Sequence, residues 1–211
     1  MQKALTQVFG NELGNELLRL GIYELCSHGE AMQNYEDWLA MNYLPNAEPL
    51  SSQKISYLLS QVQQEQIDEY FVLRHNRIIA NHNVLKEKAK EQGIELPPMM
   101  MAIDSTSIST YSETIDNAAF GHAKQDDFLK QINLTLCVDY ATGDTCYAYE
   151  SEGSINDMSL FPDLLLRMQN CGIKLDEVLI TTDRGYSSVL NVQKQLNCDL
   201  KFLTGVKLSE D

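Results

Sequence analysis

The chain has 211 residues, 44% of them hydrophobic, which suits one α/β domain and a smaller helical one. It carries 16 Lys and Arg against 30 Asp and Glu, a formal charge of -14, and this argues against a simple basic binder of nucleic acid. No apolar run reaches the ~18 residues of a membrane span, no secretory core opens the sequence, and the 5 cysteines are scattered without a Cys-x-x-Cys pair, so a cytoplasmic protein with reduced thiols and no structural zinc is expected.

The first part reads as helical. Leu13, Leu17 and Leu20 recur at helical spacing, with Leu25 closing the stripe. Tyr35, Trp38, Leu39 and Tyr43 mark a second helix ended by Pro45. Ser51 or Ser52 caps a third, with Ile55, Leu58, Leu59 and Val62 inward. Ile67, Tyr70, Phe71, Arg74 and Ile78 continue a similar face in the same helix or the next, and Gly93 suits its C-terminal end. His75 and His82 share one face with no third ligand, which favours a structural role; Trp38, among Tyr35 and Leu39, suits a core more than a base-stacking platform.

Pro97-Pro98 marks the break, and the domains are set at 1–98 and 99–211. Met99 to Ile103 runs into Asp104 and on to Thr110 as a first strand. Ile132, Leu134, Leu136 and Val138 alternate as a second; Ala141-Thr142-Gly143 turns the chain, and Thr145 to Glu150 returns as a third. Met158 to Gly172 is a helix, Val178 to Ile180 a buried strand ending in Thr181-Thr182-Asp183-Arg184-Gly185, Ser187 to Leu196 a helix, and Lys201 to Val206 a fifth strand. The order β-β-β-α-β-α-β, a meander followed by right-handed crossovers, is that of the ribonuclease-H-like α/β fold with a mixed sheet, here preceded by an all-α domain. In that fold the first and fourth strands are neighbours, which brings Asp104 and Asp183 together at strand ends, where open α/β sheets place their sites.

Two facing carboxylates suit Mg²⁺, a hard cation that takes oxygen ligands, and a pair of such ions can clamp the attacking and leaving oxygens of a phosphoryl displacement. Each residue also has a plainer reading. Asp183 before Arg184-Gly185 could be a polar turn, and Asp104 a hydrogen-bonded strand Asp. Asp157 is a candidate helix cap or active-site residue. His122, Lys124 and Arg184 could meet DNA phosphates or stand as solvated surface charge. Asp126 and Asp127 suit a solvated loop.

Four segments, in order, carry a resemblance: Ala102-Ile103-Asp104-Ser105-Thr106; Gly121-His122-Ala123-Lys124 leading to Gln131-Ile132-Asn133-Leu134; Gly153-Ser154-Ile155-Asn156-Asp157; and Thr182-Asp183-Arg184-Gly185-Tyr186-Ser187-Ser188. With these the chain resembles insertion-sequence transposases of the DDE type, and Leu50-Ser51-Ser52-Gln53-Lys54-Ile55 is similar to segments upstream of their core. The resemblance implies that Asp104 and Asp183 are the first two catalytic and metal-binding carboxylates, that two Mg²⁺ or Mn²⁺ ions serve them, and that the enzyme acts on DNA element ends and target as a homodimer or higher assembly, cleaving and then joining strands. It implies a third acidic residue, a Glu on a helix well beyond the fifth strand. Glu210 and Asp211 lie too close to that strand for the role, so the chain reads as truncated and inactive alone. Two other readings stand beside it: a ribonuclease-H-like nuclease without strand transfer, and a remnant or recruited protein that only binds DNA or a protein partner, to which the -14 charge lends weight.

Overall fold

A computed structural model describes residues 1–121 and 128–206. By packing, the chain divides into two compact units, Met1–Leu73 and Arg74–Asp211.

The first unit holds α1 (Gln2–Phe9), α2 (Asn11–Cys26), a short 3-10 turn (Met32–Asn34), α3 (Tyr35–Met41), α4 (Ser52–Ser60) and the start of α5 (Gln64–Glu91). α1 is absent from the expected elements: it is short and no side chain caps it. Leu25 is 79% exposed, because five positions after Leu20 place it about 140° around the helix, off the inner stripe. Tyr43 is 91% exposed and lies beyond α3, which ends at Met41. Ser51 caps α4 by accepting from the Lys54 amide. The core joins Leu20, Tyr23, Tyr35, Leu50 and Ile55, with Trp38 packed edge-on against Tyr23 at 5.4 Å. The Tyr23 hydroxyl donates to the Ala31 carbonyl at 2.8 Å, so this buried ring keeps its polar end satisfied. Trp38 is therefore a core residue.

α5 ends as the sequence suggests. Gly93 donates to the Lys90 carbonyl and Ile94 to the Ala89 carbonyl, which closes the helix with a left-handed residue.

The second unit is built on a sheet of β1 (Met99–Thr110), β2 (Lys130–Asp139), β3 (Thr145–Glu152), β4 (Val178–Thr182) and β5 (Lys201–Thr204), with α6 (Asp157–Cys171) and α7 (Val189–Asn197) in the crossovers. The strand order is β3-β2-β1-β4-β5; β1, β2 and β3 pair antiparallel, and β4 pairs parallel with β1 and β5. This is the mixed sheet of the ribonuclease-H-like fold expected from the element order. Asp139 and Gly143 close the β2–β3 turn, and Arg74 of α5 holds it by donating to the Thr145 carbonyl and the Asp144 carboxylate.

Alternation along β1 separates two faces. Met99, Met101 and Ile103 are buried, as are Val178 and Ile180 of β4 and Leu160, Phe161, Leu164, Leu165 and Met168 of α6. At roughly 2 kcal/mol for each fully buried apolar side chain, this layer is the main stabilising element of the unit. The opposite face carries Ala102, Leu134, Leu136 and Val138, partly exposed.

Candidate active site

The parallel ladder between β1 and β4 runs from Met99↔Val178 to Ile103↔Thr182. In-register residues of paired strands project to the same side, and Ile103 and Thr182 are both buried. One step further along each chain, Asp104 and Asp183 therefore share the other face; both are exposed, and Asp183 keeps an extended backbone. Both carboxylates follow the last pair of the ladder, and Asp104 lines a shallow pocket with the partly exposed Ala102, Leu134 and Leu136.

Each carboxylate is oriented by the backbone. Asp104 Oδ1 accepts from the Ser105 amide at 2.8 Å, and Asp183 Oδ1 accepts from the Gly185 amide at 2.7 Å, capping a 3-10 turn over Arg184–Tyr186. Among the described residues, no hydrogen bond reaches either Oδ2. Two oxygen-only ligands, each with an oxygen that no described residue bonds and exposed on one face, match the chemistry of a hard divalent cation. No third His, Cys, Asp or Glu among the described residues joins them as a metal cluster.

Behind the pair lies a buried polar layer that sequence reasoning missed. Ser105 points to the α6 side, and its hydroxyl donates to the Asp157 carboxylate. Asn156, not Asp157, caps α6, accepting from the Ser159 amide at 2.9 Å; Asp157 is the first helical residue. Both residue types cap well, so the sequence placed the helix start one residue late. Tyr186 is buried against Phe161 at 5.7 Å. Burial pushes its phenol well above the usual range; the Ser105 hydroxyl works against this, and the charges of Asp157 and Asp104 add to it. Asn191, also buried, donates its carboxamide to the carbonyls of Tyr186 at 2.8 Å and Met158 at 2.9 Å. The Met158 carbonyl is the one that Pro162, lacking an N–H, leaves open in α6. That proline, four residues after Met158, was the available sequence signal for an outside donor.

The strand-to-helix segment before Asp157 is locked from the other side. Gln131 donates to the Gly153 carbonyl at 2.9 Å, and Asn133 donates to the Ile155 carbonyl at 2.7 Å. Gly121 and Gly153 are forced to be glycine: a Cβ on Gly153 would lie 1.9 Å from the Gln131 carbonyl oxygen, and one on Gly121 2.0 Å from that of Gly153. The motif residues around 121, 131–133 and 153–157 thus form one junction beside Ser105, where a pocket of about 290 Å³ opens.

Asp104 and Asp183 share one face at the end of the β1–β4 ladder, while Asp157 lies on the α6 side, bonded to Ser105. Arg184 is exposed directly after Asp183. His122, Lys124, Asp126, Asp127, Glu210 and Asp211 lie outside the described residues. His75 is fully buried, its Nε2 3.2 Å from the Lys174 carbonyl, which makes it structural as expected. All five cysteines are free thiols. No helix among the described residues is long and apolar enough to cross a membrane.

A family model described as "Transposase DDE domain" matches residues 96–209, more than half of the chain. No curated protein matches. Among solved structures, a piggyBac transposase synaptic complex with hairpin DNA is 14% identical at a TM-score of 0.45, covering 85% of this chain and 38% of that one. A Mos1 transposase paired-end complex with left transposon end is 14% identical at a TM-score of 0.36, covering 90% and 57%. Endonuclease V of Ciona intestinalis, in complex with DNA, is 10% identical at a TM-score of 0.32, covering 64% and 60%. The chain spans less than two thirds of each of these proteins, and overlaps at such TM-scores carry no argument; the fold is read from the sheet order itself.

Proposed function

The chain belongs to the transposase DDE domain family, and from that premise we propose that Asp104 and Asp183 are the first two catalytic carboxylates of an enzyme that cleaves DNA and joins the freed 3′ end to target DNA. The observation that carries this is the placing of both carboxylates on one sheet face, one residue past the last pair of the β1–β4 ladder. Their open Oδ2 atoms would hold Mg²⁺ or Mn²⁺, which when bound stabilises the charge that develops on phosphoryl oxygens. The backbone amides of Ser105 and Gly185 keep the two side chains turned outward, so binding does not have to order them.

In this reading residues 1–98 are a helical N-terminal domain and 99–211 the catalytic core, working as a homodimer or higher assembly on DNA. Arg184, His122 and Lys124 contribute phosphate contacts, which a chain with a net charge of -14 needs from its few cations.

Cleavage of DNA in Mn²⁺, and joining of a labelled 3′ end to a target plasmid, test the proposal. Cleavage and joining that both vanish in Asp104→Asn and in Asp183→Asn support it. Cleavage unchanged by either substitution removes the assignment, and cleavage without joining makes the protein a nuclease.

A further inference from the structure

We propose that Asp157 is a positioning residue, which sets the separation of Asp104 and Asp183 by gripping Ser105, the residue directly after the first carboxylate. The proposal rests on the reading of those two carboxylates as a metal pair.

The β1–β4 ladder ends at Ile103↔Thr182, one residue short of the pair, so backbone pairing does not itself reach Asp104 and Asp183. A second connection runs behind them. Asp157, at the first position of α6, accepts from the Ser105 hydroxyl. The next residue, Met158, gives its carbonyl to Asn191, which with the same nitrogen donates to the carbonyl of Tyr186, three residues after Asp183. The start of α6 is thereby fastened both to the strand of one carboxylate and to the turn that the other caps. Ser105, Tyr186 and Asn191 are buried while Asp157 is half-buried, so the inner part of this frame, the bond from Asn191 to the Tyr186 carbonyl above all, is screened from solvent.

Asp157 is not spent on capping, since Asn156 fills that place. Its charge suits the first turn of a helix, and this alone would make it a stabilising residue and nothing more. What distinguishes it is the partner: a carboxylate accepting a hydroxyl forms a charge-assisted bond, and that hydroxyl belongs to the neighbour of Asp104. Residues that orient metal ligands from behind change metal affinity by about 10–100-fold when removed.

The test uses the full chain, with Mn²⁺ affinity read by electron paramagnetic resonance and amide exchange followed at Gly185. Ser105→Ala and Asp157→Ala are each expected to weaken Mn²⁺ about tenfold and to speed exchange of the Gly185 amide. The double variant should bind no worse than Asp157→Ala, because the two act through one bond. Asp157→Asn keeps an acceptor oxygen opposite Ser105 and should recover most of the affinity. Wild-type affinity in Ser105→Ala, or Asp157→Asn as weak as Asp157→Ala, overturns the proposal in favour of a charge or helix-start effect. Asp104→Asn and Asp183→Asn belong in the same series. If neither alters Mn²⁺ binding, the metal reading fails, and Gly185 exchange in Ser105→Ala then decides the frame: faster exchange upholds it, unchanged exchange removes it.

Discussion

Asn191 donates its carboxamide to the Met158 carbonyl at 2.9 Å, the acceptor that Pro162 cannot reach from within α6. The same group serves the Tyr186 carbonyl, so one side chain joins the start of a helix to the turn beyond Asp183. Asn191→Ala leaves both carbonyls without that donor and should cost about 2 kcal/mol in urea unfolding. Pro162→Ala in the same background returns an N–H to Met158 and should recover part of the loss. Equal stability of all three forms would show that water replaces the carboxamide freely.

The junction of Gly153 with Gln131 allows no side chain. Gly153→Ala places its Cβ 1.9 Å from a backbone oxygen that cannot swing away, and the cost should reach about 3 kcal/mol or more. Gly143→Ala is the control. Its left-handed backbone at φ 73° opens into free space, so about 1 kcal/mol is expected there. Thermal unfolding of the two variants should differ by several degrees, and similar midpoints would mean that the 153–157 segment yields to the added methyl.

His75 gives the fold a dependence on acid. Burial holds its imidazole below the usual range, against the opposing effects of the Lys174 carbonyl and Glu177. In the unfolded chain the same ring takes a proton near pH 6.5. Below that value the unfolded state binds more protons than the folded one, so stability falls as pH drops from about 6.5 toward the folded value. Urea unfolding from about pH 7 to about pH 5.5 should show this loss, and His75→Gln, which keeps a donor for Lys174, should flatten it. An unchanged slope in the variant would assign the loss to other groups.

Much of the second unit was legible because its signals are local. Alternation marked β2, the Gly143 turn set the hairpin, and Gly172 closed α6; strand order alone then brought Asp104 beside Asp183. What escaped depends on contacts between distant segments. The Ser105–Asp157 bond spans 52 residues, and nothing in either segment announces it. The closeness of Gly121 to Gly153 follows from the bridge of Ala119 to Gln131 and the bond of the Gly153 amide to the Asn117 carbonyl, so the motif glycines were visible while their reason was not. α1 and the exposed Leu25 and Tyr43 show the limit of reading helical faces by apolar spacing alone.

The central claim is that Asp104 and Asp183 form one metal site, and calorimetric titration with Mn²⁺ tests it most directly. The chain should bind Mn²⁺ in the millimolar range or tighter, and Asp104→Asn and Asp183→Asn should each abolish that binding while leaving the fold intact by circular dichroism. No binding by the unsubstituted chain, or binding that survives both substitutions, would contradict the claim and leave the paired carboxylates as surface residues of a domain that works without them.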